Sequence, residues 1–143
     1  MGLELLHKIV FVGMFLMFLA SNYVIVLKFL QLRRRPQTSP QEAYEWMHLF
    51  REGLWWLDFS ATTAPLVGLL GTIIALIEAF NKLTQLGVSN ASQISSAIGF
   101  ALVATAVGIL LSLWNYLFFK LFSSRLHQYR ERIKATILQE VLK

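Results

Sequence analysis

The sequence predicts an all-α membrane protein with three transmembrane helices, the second and third extending beyond the bilayer. Three observations predict it. Composition is the first: the 143 residues are 56% hydrophobic and 15% charged, where soluble domains average about 45–50% and 25%. Mean hydropathy is +0.57. The second is the clustering of that apolar content. No Asp, Glu, Lys or Arg occurs from Ile9 to Leu27, from Phe59 to Ile77, or from Leu83 to Phe119. About 20 mostly apolar residues cross a hydrocarbon core. The third is that the basic residues fall between and after these stretches. Such a chain is neither a soluble nucleic-acid binder, despite a pI near 9.8, nor disordered, because disorder needs low hydrophobicity. With no cysteine, disulfides, thiol catalysis and Cys-ligated metal are excluded.

The first span is placed at 9–30. Its bulky residues, Phe11, Met14, Phe15, Met17 and Phe18, give it little to offer another helix, so it is expected to face lipid. It is too long for a signal-peptide core, and Arg33-Arg34-Arg35 follows it where a cleavage site would need small residues. An uncleaved helix is expected.

Lys and Arg set the orientation, because loops rich in them stay cytoplasmic. Lys28, Arg33, Arg34, Arg35 and Arg51 follow the first span. Lys120, Arg125, Arg130, Arg132, Lys134 and Lys143 follow the third. Only Lys8 and Lys82 lie opposite, so eleven of the 13 basic residues share one side. The expected topology is a multi-pass protein of a bacterial inner membrane, N-terminus periplasmic and C-terminus cytoplasmic. A reporter at Val88 is expected outside.

A turn, Pro36 to Ser39, leads into a helix start. Ser39 suits the N-cap, Pro40 the first helical position, and Glu42 completes a capping box. The helix is expected to run from Pro40 to about Leu83, with a cytoplasmic part at 40–58 and the second span at 59–80. Trp55 and Trp56 sit where an interfacial aromatic belt belongs.

The outer loop from Gln85 to Ser92 is short and polar. Asn90 or Ser92 suits the cap of the third span, placed at 97–119. Asn90-Ala91-Ser92 fits a glycosylation sequon, on its own a weak signal. Beyond the span, Phe122, Leu126, Tyr129, Ile133, Ile137 and Val141 recur every three or four residues, predicting an amphipathic helix over 120–142. It is expected to pack on 40–56 rather than lie on anionic lipid. The whole chain, 1–143, reads as one membrane domain.

The second and third spans differ from the first. Ala61, Pro65, Gly68, Thr72, Ala75 and Ala79 share one face of the second. Ala101, Thr105, Gly108, Ser112 and Asn115 share one face of the third. Small residues let membrane helices approach closely, and hydroxyls hydrogen-bond across them. Tight packing is the plain reading of the glycines and alanines. Thr72 and Thr105 allow two readings: back-bonding to their own helix, or lining a narrow polar ion pathway together with Ser112 and Asn115. Glu78, the one carboxylate within a span, lies one turn from Lys82, which reads as an outer-end i,i+4 pair. His7, His48 and His127 are scattered, and no metal motif, phosphate loop or nucleophile triad occurs. No enzyme activity, metal or cofactor is expected.

Thr63-Ala64-Pro65-Leu66-Val67-Gly68-Leu69-Leu70-Gly71-Thr72 resembles the second-span signature of the ExbB/TolQ/MotA family. Ala101-Leu102-Val103-Ala104-Thr105-Ala106-Val107-Gly108-Ile109 resembles that of its last span. Together they cover about a third of the chain. The resemblance implies a homo-oligomeric ring, a pentamer, with a pore made by spans two and three. Inside it sits a single-span partner of the ExbD, TolR or MotB type carrying a membrane Asp. Ion flow, by default protons, would drive rotation that is passed to a TonB-like energy transducer or an equivalent. Thr72 and Thr105 match the family's two pore threonines; Pro65, Gly68, Gly71 and Gly108 match packing positions, and Ala101 joins them on the same face. Many members carry Glu five residues before Thr105, where this chain has Phe100, so the titrating carboxylate would come from the partner. Trp114 stands where many have a helix-bending Pro.

The leading expectation is an ion-conducting motor subunit for TonB-dependent outer-membrane transport. The short cytoplasmic part favours an ExbB-type relative over TolQ, and three spans favour it over MotA. The competing expectation is a structural membrane scaffold, whose small residues serve packing alone.

Overall fold

The computed structural model describes residues 2–36, 39–86 and 91–142. They form three helices: α1 (Gly2–Arg33), α2 (Pro40–Leu86) and α3 (Ala91–Val141). All three are long and apolar enough to cross a membrane. At 1.5 Å per residue, α2 and α3 reach about 70 Å or more against a hydrocarbon core of about 30 Å, so both project well beyond one. The single long helices expected from Pro40 and through the third span are what the structure contains.

Local chemistry sets the ends. α1 stops before Pro36, whose ring disfavours helical geometry in the residue ahead of it. The Arg34 N–H still donates to the carbonyls of Leu30 (3.2 Å) and Gln31 (3.1 Å), which tightens the last turn. Ser39 caps α2 as its sequence predicts: its Oγ accepts the N–H of Glu42 at 3.2 Å. Gln37 and Thr38 of that turn, Val88 and Asn90 of the outer loop, and Lys143 lie outside the described residues. The expectations placed on the Asn90 cap and sequon lie there too.

The helices run antiparallel in sequence order. α2 is central: it packs most extensively along α3 and also against α1, while α1 and α3 touch little. Two apolar clusters hold the three together. Towards the predicted periplasmic end Val10, Met14, Ala64, Ile74 and Leu111 meet. Towards the other end Ile25, Phe50, Leu54, Leu57 and Phe122 meet, with Trp46, Phe118 and Leu126 packed against them.

One expectation is corrected. Phe15 and Phe18 of α1 are exposed, as lipid-facing residues should be, yet Met14 is 2% exposed. Val10, Met14, Ser21, Ile25 and Lys28 are all buried, at spacings that place them on one helical face. That stripe packs on α2. It escapes a hydropathy reading because both faces of the helix are apolar.

The tail of α3 packs back on α2 as expected. Phe122 lies edge-on to Phe50 at 6.1 Å, and Tyr129 edge-on to Trp46 at 5.2 Å. The Tyr129 hydroxyl donates to the carbonyl of Pro36, tying α3 to the end of the first connection. Burial raises the Tyr129 pKa, partly offset by the Arg35 guanidinium, so the hydroxyl stays a donor at neutral pH.

Candidate functional site

The α2–α3 seam is where the sequence-predicted residues come together. Its close approach rests on glycines of both helices, Gly68 and Gly71 of α2 and Gly108 of α3. A β-carbon at Gly68 would stand 2.9 Å from the Ala104 carbonyl oxygen and 3.2 Å from the Thr105 Cα. Gly71 lies where the three helices meet, a β-carbon there being 3.2 Å from Val10 and 3.3 Å from Ala104. Ala61, Ala64, Ala75, Ala79, Ala101 and Ala104 are buried along the same contact. The small-residue faces read from the sequence are thus the faces that touch.

Thr72 and Thr105 meet across this seam, hydroxyl to hydroxyl. The Thr72 Oγ1 also lies 3.1 Å from the Gly68 carbonyl and 3.2 Å from that of Ala101. The Thr105 Oγ1 lies 3.4 Å from the Gly68 carbonyl. Each hydroxyl has one proton and accepts as well. Two orders therefore fit: Thr105 donates to Thr72, which donates to a carbonyl, or Thr72 donates to Thr105, which donates to Gly68. Interconverting them moves protons without moving a backbone. Both side chains are half-buried.

Ser112 has a different task. Pro65 has no N–H, so the carbonyl of Ala61, four residues earlier, loses its helical partner. The Ser112 hydroxyl donates to that carbonyl from α3. Hydroxyls from neighbouring helices commonly satisfy backbone groups freed by a membrane proline. Asn115 is wholly buried inside the protomer. Ser112 and Asn115 thus both lie between the helices of one chain.

Glu78 and Lys82 form the expected pair at 2.7 Å, with the carboxylate one-fifth exposed. Phe100, in the place of the family's frequent Glu, is 62% exposed on α3. Among the described residues no cluster of His, Cys, Asp or Glu could hold a metal ion.

Lys28 is a feature the sequence reading left to the orientation argument. Its Nζ donates to Gln31 Oε1 (2.9 Å) and the Leu49 carbonyl (3.2 Å), and lies 5.0 Å from the centre of the Phe50 ring. Its place three residues after Ile25, on the stripe of Met14 and Ser21, shows only in the packed structure.

Three apolar helices, two of them closed against each other by glycine and bearing paired hydroxyls, define a multi-pass α-helical membrane protein. The description "MotA/TolQ/ExbB proton channel family" matches residues 35–135, and the chain belongs to that family. It is 39% identical over 75 residues to biopolymer transport protein ExbB-like 1 of Helicobacter pylori, covering 52% of this chain and 40% of that one. Over 71 residues it is 39% identical to an ExbB-like 1 protein of Synechocystis, covering 48% and 28%. Over 62 residues it is 36% identical to biopolymer transport protein ExbB of Aquifex aeolicus, covering 40% and 42%. The matches thus span less than half the length of these curated relatives.

Proposed function

We propose that this chain is the ring-forming subunit of an ion-driven motor. With a single-span partner of the ExbD or TolR type, it converts the proton motive force into mechanical work for TonB-dependent outer-membrane transport. Family membership supports the proton-channel part. The observation that supports an ion pathway in this chain is the Thr72–Thr105 hydroxyl pair, held by a glycine contact and capable of two proton orders. In this reading five copies form a ring in the inner membrane, N-terminus periplasmic, with α2 and α3 around the partner. The outward apolar residues of both helices, such as Leu69, Ile73, Leu102 and Leu110, suit contact with neighbouring copies and lipid. One charge crossing 100 mV releases about 2.3 kcal/mol, so a few ions suffice for a mechanical step. A hydroxyl pair binds no extra proton at neutral pH, so the partner's membrane Asp carries the titration.

A second reading keeps a specific observation: both hydroxyls also reach the Gly68 carbonyl, which a purely structural scaffold would need too. Thr72→Val and Thr105→Val separate the two, because each keeps the shape and removes the hydroxyl. The motor reading expects normal assembly with partner-dependent transport lost. Normal oligomerisation with every partner-dependent activity unchanged in both variants favours the scaffold. A TolQ- or MotA-like process shows instead as unchanged TonB-dependent uptake with another partner-dependent activity lost.

A further inference from the structure

The most unusual feature outside the threonine seam is a level of buried, unpartnered polar atoms in the inner half of the bundle. Ser21 of α1, Ser60 of α2 and Asn115 of α3 are each 0% exposed. Among the described residues neither serine hydroxyl has a hydrogen-bond partner, nor has either polar atom of the Asn115 amide, nor the indole N–H of Trp56.

The register places these residues at similar heights in the bundle. Val10 meets Gly71, and Lys28 meets Gly53. Ser21 lies eleven residues after Val10 and seven before Lys28; Ser60 lies eleven before Gly71 and seven after Gly53. Two antiparallel helices with equal rise therefore bring Ser21 and Ser60 to the same height. On the other side Ser112 reaches Ala61, and Asn115 is one turn further along α3, at the height of Ser60 and Leu57. Trp56 is one turn below Ser60 on α2.

A buried hydroxyl or amide without a partner is destabilising, and a bilayer offers no outside water to relieve it. Several such atoms at one height call for a shared partner. Their chemistry says which. Asn115 Nδ2 and Trp56 Nε1 only donate, Asn115 Oδ1 only accepts, and the serines do both. A metal cation would leave the two N–H donors facing it, with no carboxylate among the buried polar residues to offset its charge. An anion would leave the amide oxygen unserved. Water donates two hydrogen bonds and accepts two, and buried waters typically make about three bonds to such groups.

We propose that Ser21, Ser60 and Asn115 form an internal water-binding site joining all three helices of one protomer. The site is distinct from the Thr72–Thr105 pair, which lies about 15 Å further out along α3 by helical rise. It stands whether or not the motor reading does.

Water-edited solid-state NMR on the full chain in lipid bilayers tests it, with the Asn115 side-chain amide as reporter. Rapid magnetisation transfer from water to Asn115 Nδ2 is expected, with none to the backbone amides of Leu57 and Phe50. The double variant Ser21→Ala, Ser60→Ala should lose the transfer while keeping the Asn115 resonance. No transfer in the unmodified protein overturns the site, and that measurement needs no variant to fold. Transfer that survives the double substitution overturns the three-helix arrangement. An Asn115 resonance that titrates with sodium but not with choline overturns water in favour of a cation.

Discussion

Gly108 of α3 rides on Gly68 of α2 so closely that a β-carbon on Gly108 would stand 3.1 Å from the Gly68 Cα and 2.6 Å from the Ala64 carbonyl oxygen. Backbone, not a flexible side chain, fills that space. Gly108→Ala must therefore force the helices apart, at a cost in the range of about 1–3 kcal/mol typical of overpacking. Gly99→Ala is the control. Nothing lies within 4 Å of a β-carbon there, so the substitution should gain up to about 1 kcal/mol of helix propensity. Thermal unfolding in detergent checks both: the melting temperature should fall for Gly108→Ala and hold or rise for Gly99→Ala. Equal shifts would remove the close contact from the account.

Ser112 and Pro65 are coupled through a carbonyl that touches both. Removing the hydroxyl in Ser112→Ala leaves the Ala61 oxygen without its donor, a loss of about 1–3 kcal/mol for a buried group. In a Pro65→Ala background the helix regains its own N–H at that position, so the same serine change should cost less. A double-mutant cycle on unfolding free energy measures the difference. Additive effects would mean that the serine does not serve the proline.

The Tyr129 hydroxyl binds the Pro36 carbonyl outside the predicted spans. Tyr129→Phe keeps the edge-on contact with Trp46 and removes one hydrogen bond, at roughly 0.5–1.5 kcal/mol. The pH dependence has a definite sign. Burial raises the folded-state pKa of this phenol, so its contribution is intact below the ordinary tyrosine pKa and fades as pH climbs through the raised value. Unfolding curves between neutral and strongly alkaline pH should converge for the native chain and Tyr129→Phe. A gap that widened with pH would contradict the assignment.

Much of this was legible in the sequence because charge and residue size carry it. Gaps in charge gave three helices, Ser39 and Pro40 the start of α2, and small residues the faces of α2 and α3 that touch. Two things were not legible. The buried stripe of α1 is hidden because Phe15 on the outside and Met14 on the inside are equally apolar, so no periodicity separates them. The placement of Ser112 and Asn115 between helices was hidden because a shared helical face does not distinguish a side chain turned to a neighbouring helix from one turned to a pore. The freed carbonyl behind Pro65 was a usable signal for Ser112; Asn115 needed the height of Ser21 and Ser60, which only the packed register supplies.

Lys28 and Gly53 supply the last prediction. The lysine lies folded into the groove that the missing side chain of Gly53 leaves open: a β-carbon there would overlap its Cε and stand 2.6 Å from its Nζ. Here the obstacle is the tip of a flexible chain, so Gly53→Ala should displace the amine rather than separate the helices. The displaced Lys28 gives up its charge-assisted bonds to Gln31 and the Leu49 carbonyl, about 1.5 kcal/mol or more each. The alanine returns up to about 1 kcal/mol of helix propensity, so a stability loss of about 2 kcal/mol is expected. Accessibility should change as well. Lys28 is 5% exposed and should resist an amine-acylating reagent in the native chain, then react readily in Gly53→Ala. Peptide mapping by mass spectrometry reads the site directly. Unaltered labelling with a large loss of stability would mean that the lysine is held by more than the groove, and that α1 rather than its side chain gives way.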